Sequence, residues 1–103
     1  MTQNNVIVTG RIAFEPKSFD TKKGGKMASA VLNVYKGKNA DGKAQYASVQ
    51  FKTFEKKYAE SIINLGKGAD VIVVGRLDEE VYEKDGKTIR QLVVIADYVG
   101  TEA

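Results

Sequence analysis

At 103 residues, 43% of them apolar, the chain is long enough for one domain around a single modest core and too short for a multidomain enzyme. It has no Cys and no His, which excludes disulfides, thiolate and imidazole metal sites, and the Ser/His and Cys/His nucleophile pairs. Residues 1–52 carry nine Lys and Arg against three Asp and Glu, and residues 53–103 seven against ten, so a small net charge of +3 hides a basic N-terminal half. Residues 1–103 are therefore read as one domain that works by binding, with no catalytic residue, metal or cofactor. The segment Met1–Asn5 is polar and uncharged, and no run approaches the roughly 20 apolar residues of a membrane span. A soluble, unexported, cytoplasmic protein is expected.

Alternation with period two opens the chain: Val6, Val8, Gly10, Ile12 and Phe14 share one face, Ile7, Thr9, Arg11 and Ala13 the other, and Pro16 ends the run. A Lys-rich connection through Lys22, Lys23, Gly24, Gly25 and Lys26 leads to a second strand, Met27 to Tyr35. There Ala28, Ala30, Leu32 and Val34 face inward. Asp41-Gly42 signals a turn. A third strand runs from Gln45 to Phe54, with Ala47, Val49, Phe51 and Thr53 inward and Tyr46, Ser48, Gln50, Lys52 and Phe54 outward. Over residues 56–65, Tyr58, Ala59, Ile62, Ile63 and Leu65 fall on one helical stripe, ended by Gly66 and Gly68. Val71, Val73, Gly75 and Leu77 resume a strand, Asp85-Gly86 marks a hairpin, and Thr88 to Tyr98 is the last strand.

The segments Val6-Ile7-Val8-Thr9-Gly10-Arg11-Ile12 and Val71-Ile72-Val73-Val74-Gly75-Arg76-Leu77 echo each other, both with an inward Gly. Glycine inside a strand weakens it unless the strand bends sharply or another backbone comes close, and small closed barrels need such places. Three strands, a helix and two strands match the all-β, five-stranded Greek-key barrel called the OB-fold; a generic sandwich or roll is the alternative.

An OB-fold binds oligonucleotides or oligosaccharides on the face of its second and third strands. The outward residues there are Asn33, Tyr35, Tyr46, Ser48, Gln50, Lys52 and Phe54, with Lys36, Lys38 and Lys43 in the adjoining loop. Rings stack on unpaired bases and ammonium groups neutralise phosphates, so this set points to a single strand; duplex DNA offers such rings no base faces. Each residue also has a plainer role open to it: the tyrosines as ordinary strand cover, Phe54 as core packing beside the helix, the lysines as solvated charge. Phe14 and Phe51 are expected in the core and Tyr58 in the helix packing. The acidic stretch Asp78, Glu79, Glu80, Glu83 and Asp85 raises a Mg²⁺-dependent nuclease as the enzyme alternative, against a charged hairpin that keeps a sheet edge soluble.

Taken in order, Asn5 through Ile12, Ala30-Val31-Leu32-Asn33-Val34, Ala59-Glu60, Leu65-Gly66-Lys67-Gly68-Ala69-Asp70 continuing to Gly75-Arg76-Leu77, and Asp85-Gly86-Lys87 resemble the bacterial and phage single-stranded DNA-binding protein family along nearly the whole chain. The resemblance implies an OB-fold that coats single-stranded DNA without sequence preference in replication, recombination and repair, as a homo-oligomer, more often a tetramer than a dimer, and without catalysis. It implies stacking by Phe54 at the end of the third strand and by Tyr82 on the hairpin after the fourth, and a stacking or polar contact by Tyr35; Arg76 is counted with the DNA-binding residues. Where the family commonly has a ring in the third strand this chain has Ser48, with Tyr46 two residues away on the same face. The hairpin around Tyr82 is acidic here and basic in the family, which shifts binding towards the Lys-rich loops. The family's acidic-tipped tail has no counterpart after Gly100-Thr101-Glu102-Ala103, through either a natural short form or trimming; for a natural short form, tail-mediated partners are not expected. An OB-fold accessory of a primosome or recombination complex, acting through protein contacts, is the other binding class. The outward Ile7, Thr9, Ile72 and Val74 have no partner inside a barrel and are expected at a subunit interface.

Overall fold

Alternating strands joined by tight turns close on themselves. The computed structural model describes residues 3–101. Its elements are β1 (Val6–Ile12), β2 (Lys17–Asp20), β3 (Lys26–Lys38), β4 (Ala44–Thr53), α1 (Lys56–Leu65), β5 (Asp70–Lys84) and β6 (Lys87–Thr101). The strand order is β1-β5-β6-β4-β3-β2, and β1 also pairs with β3 through Arg11↔Asn33 and Ile12↔Leu32. That second pairing closes β1, β3, β4, β6 and β5 into a five-stranded barrel. Its β4–β6 seam, Phe51↔Val94 to Thr53↔Ala96, is parallel and the other pairs are antiparallel. With one helix between β4 and β5, this is the expected OB-fold.

The core joins Ile12, Ala28, Ala30, Leu32, Phe51, Val71, Val73, Val94, Ala96 and Val99 from the strands with Ala59 and Ile62 of α1, so the helix seals the barrel. Gly66, at φ 72°, ends the helix by donating its N–H to the Ile62 carbonyl at 3.0 Å. Tyr58 is half-buried and packs edge-on against Tyr98, ring centroids 5.6 Å apart.

Both echoed glycines stand where backbones cross. A Cβ on Gly75 would lie 1.9 Å from the Ile95 carbonyl oxygen, and one on Gly10 would lie 2.6 Å from that of Asn33. These are the close approaches that the two copies of the motif require.

Several expectations change. The first strand stops at Ile12, and Phe14 is 65% exposed instead of buried. The chain leaves the barrel between Ala13 and Pro16 and then forms β2, a strand the sequence hid because Lys17, Ser18, Phe19 and Asp20 are all exposed. Leu77 continues the inward pattern of β5 but is exposed, because β5 and β6 run past the barrel rim as a two-stranded arm reaching Lys84 and Lys87. Asp85 (φ 53°) and Gly86 (φ 77°) make the two-residue turn at its tip. The β3–β4 loop is organised by Asn39 rather than Asp41: its Oδ1 accepts from the amides of Asp41 (2.9 Å) and Lys43 (3.0 Å). Gly42 supplies the positive φ there.

Candidate nucleic-acid interface

The outer face of β3 and β4 is built row by row from the register. Tyr35 stands opposite Tyr46, Asn33 opposite Ser48, Val31 opposite Gln50 and Ser29 opposite Lys52. Tyr35 and Tyr46 are 55% and 58% exposed and meet edge-on, centroids 5.9 Å apart, so each leaves ring surface open to a ligand. Phe54, just beyond β4, is 56% exposed and outside the core. A bulge between Tyr35 and Gly37 lifts Lys36 out of the ladder; Lys36, Lys38 and Lys43 are all exposed beside the tyrosine pair. None of these three lysines has an ion-pair partner among the described residues.

At the other end of the face the arm leans against β4. Gln91 donates from Nε2 to Gln50 Oε1, and Lys52 forms an ion pair with Glu80. Lys52 is thus partly neutralised, an effect the sequence did not show because Glu80 lies 28 positions further along the chain. Arg76 lies two strands round the barrel from Lys52, by way of Ile95, and binds Asp97 at 3.1 Å.

The arm's acidic residues do not act as one cluster. Strand alternation puts Asp78, Glu80, Tyr82 and Lys84 on one face and Glu79, Val81 and Glu83 on the other. Glu79 accepts from Arg90 at 2.7 Å. Tyr82 therefore stands between Glu80, which Lys52 offsets, and the tip lysines Lys84 and Lys87, which pair across the turn. The charge opposing phosphate at Tyr82 is smaller than the residue count implies.

Of the clefts that border the face, two are lined by cations. One, of about 350 Å³, opens where β1 and β3 diverge and is lined by Thr9, Arg11, Asn33, Tyr35 and Tyr46; Arg11, bonded to Asp70 at 3.2 Å, is a cation that the strand pattern alone did not single out. The other, of about 450 Å³, lies over Val31, Gln50 and Lys52 and has Phe14 and Lys17 on its far wall. Ile7, Thr9, Ile72 and Val74 share the outer face of β1 and β5, through the pairs Ile7↔Val74 and Thr9↔Ile72, and that face meets the first cleft at Thr9.

A closed OB barrel with exposed rings and lysines on one strand face defines an oligonucleotide-binding class of protein. The single-strand binding protein family matches residues 3–101, and the chain belongs to that family. Among solved structures, a Plasmodium falciparum single-strand binding protein in complex with single-stranded DNA superposes with a TM-score of 0.83 at 18% identity, covering 97% of this chain and 93% of that one, which shows the shared fold. No curated protein sequence matches the chain. Among the described residues, no helix is long and apolar enough to cross a membrane.

Proposed function

We propose that the chain coats single-stranded DNA without sequence preference, with bases stacking on Tyr35, Tyr46, Phe54 and Tyr82, polar contacts from Asn33, Ser48 and Gln50, and phosphates held by Lys36, Lys38, Lys52 and Arg76. Single-stranded DNA binding follows from membership of the family; the observation that supports this particular surface is the set of solvent-exposed rings on and beside β3 and β4, next to Lys36, Lys38 and the loop residue Lys43, which have no ion-pair partner among the described residues. Stacking reads no sequence because every base has a π-face, and lysine–phosphate contacts release counterions whatever the base. The protein acts by binding and performs no chemistry on the strand. It works where the DNA is, in a bacterial cytoplasm or in that of a phage's host.

If three or four phosphates per protomer are neutralised, log affinity for oligo(dT) falls against log salt with a slope of about −2 to −3. A fluorescence-anisotropy titration from low to high NaCl measures it. A slope near zero removes the phosphate contacts from the account.

Because Glu80 competes with phosphate for Lys52, Glu80→Gln tightens binding by about two- to five-fold at low salt, the scale of a part-exposed ion pair. The gain shrinks as salt rises. Weaker binding by the variant would mean that Glu80 instead holds Lys52 in its binding position.

We also propose that the chain forms a homo-oligomer, a tetramer rather than a dimer, through Ile7, Thr9, Ile72 and Val74. Ile7 is 69% exposed beside the half-buried Ile72 and Val74, an apolar outer face. The β1 edge from Val6 to Gly10 is also open, since β3 pairs only with Arg11 and Ile12. Sedimentation at micromolar concentration is expected to show the oligomer and Ile7→Glu to shift it to smaller species. A wild-type monomer would overturn the interface.

A further inference from the structure

The cavity over Val31, Gln50 and Lys52 is continuous with the proposed binding face, and its far wall comes from a part of the chain outside β3 and β4. We propose that this cavity is a separate base-binding pocket in which Phe14 stacks on a nucleobase of the same DNA strand and Lys17 holds an adjacent phosphate; the proposal rests on the single-strand reading above. Phe14 has the parity of the core residue Ile12 and of Val6 and Val8, which pack against the core, yet it is the most exposed phenylalanine in the chain, at 65%. The chain leaves the barrel between Ala13, whose amide still donates to the Val31 carbonyl at 2.8 Å, and Pro16, so the ring is carried onto the outer side of the sheet.

Across the sheet the register sets out the pocket's parts. Ala13 adjoins Val31, Val31 faces Gln50, and Gln50 lies one residue before the Phe51↔Val94 pair, so Val93 completes the row. Two residue pairs along, on the same face, Lys17 faces Ser29 and Ser29 faces Lys52. The floor is thus Val31 and Val93, one wall is a ring, the rim offers the Gln50 amide and the Ser29 hydroxyl, and Lys17 and Lys52 stand on either side. An apolar floor, a stacking ring, a few hydrogen-bonding groups and two cations suit a base with its phosphate. The volume of about 450 Å³ falls within the usual ligand-pocket range. Glu15, also on the wall, opposes a ligand that carries more anionic charge there, such as a free nucleoside triphosphate.

The test compares wild type with Phe14→Ala, Phe14→Leu and Phe14→Tyr on oligo(dT) and on the same oligonucleotide carrying abasic sites, by anisotropy at fixed salt. The ring lies outside the core, so the variants are expected to fold; circular dichroism and thermal unfolding check this. Phe14→Ala and Phe14→Leu should weaken oligo(dT) binding by about ten-fold or more, Phe14→Tyr should keep it, and the loss should shrink on the abasic strand. Equal affinity of wild type and Phe14→Ala on oligo(dT) overturns the pocket and leaves the β3–β4 face standing. An equal loss on the abasic strand also overturns it, because the ring would not be reading a base. Failure of the wild type to bind oligo(dT) overturns both.

Discussion

Replacing Tyr35 and Phe54 together by Ala is expected to weaken binding of oligo(dT) by about 2 to 6 kcal/mol while leaving the melting temperature nearly unchanged. The estimate takes about 1 to 3 kcal/mol for each base that loses its ring. Both side chains are more than half exposed and neither belongs to the core, so their removal takes little packing from the barrel. They are also far apart. Tyr35 sits opposite Tyr46, and Phe54 lies eight residues further along the chain, about 26 Å at the rise of a strand. Losses at that separation add, so the double variant should show close to the sum of the single ones. Tyr46, edge-on to Tyr35, is the residue whose contribution will not add, because removing Tyr35 frees its ring to move. A folded double variant with unchanged affinity would place the DNA on a different surface.

The largest expected effect on stability is at Gly75. Gly75→Ala puts a methyl group 1.9 Å from the Ile95 carbonyl oxygen and 2.9 Å from the Ala96 Cα, both backbone atoms that cannot rotate away. The ladder between β5 and β6 already shifts register at Val74/Gly75, and Ile95 and Ala96 also pair with β4 at the barrel's parallel seam. Relief must therefore come from moving β6 away from both neighbours. A cost of about 3 kcal/mol follows, at the upper end for overpacking a core. At Gly10 the nearest atom is the Asn33 carbonyl at 2.6 Å, on a β1–β3 pairing only two residues long, so Gly10→Ala should cost less, about 1 to 2 kcal/mol. Urea denaturation of the two variants measures the difference. Equal, small losses would mean that the crossings are looser than the backbone geometry implies.

How much was legible in the sequence depends on whether burial or exposure carried the signal. Strands with one buried face announced themselves through alternation: Ala28, Ala30 and Leu32, Phe51 and Thr53, and Val71 and Val73 are buried as their parity requires. The two inward glycines were legible because a glycine in an apolar alternation has few other reasons to be there. Elements held by pairing alone were not. β2 buries none of its four residues and is recognised only from its ladder with β3. Parity also misplaced Phe14 and Leu77, since it continues through residues that have already left the barrel; Phe14 sits past the end of β1, and Leu77 lies where the β5–β6 arm passes the rim.

On the candidate face, the identities of the outward residues were readable but their neighbours were not. Strand parity placed Tyr35, Tyr46, Gln50 and Lys52 together. It could not show that Glu80 and Gln91, from an arm distant in sequence, engage Lys52 and Gln50. Counting carboxylates overstated the repulsion at Tyr82, since alternation sends Glu79 and Glu83 to the opposite face. Charge in a hairpin has to be sorted by face before it is added up.

The central claim is that exposed tyrosines and lysines on one face of the barrel hold a single strand. The most direct test is anisotropy of a labelled oligo(dT) against a duplex of the same length, at low and high salt, with intrinsic tyrosine emission followed in the same titration; the chain has five Tyr and no Trp to mask it. The account predicts tight, salt-weakened binding of the single strand, much weaker binding of the duplex, and tyrosine quenching that saturates with the anisotropy. Equal affinity for both DNAs with no quenching would contradict it.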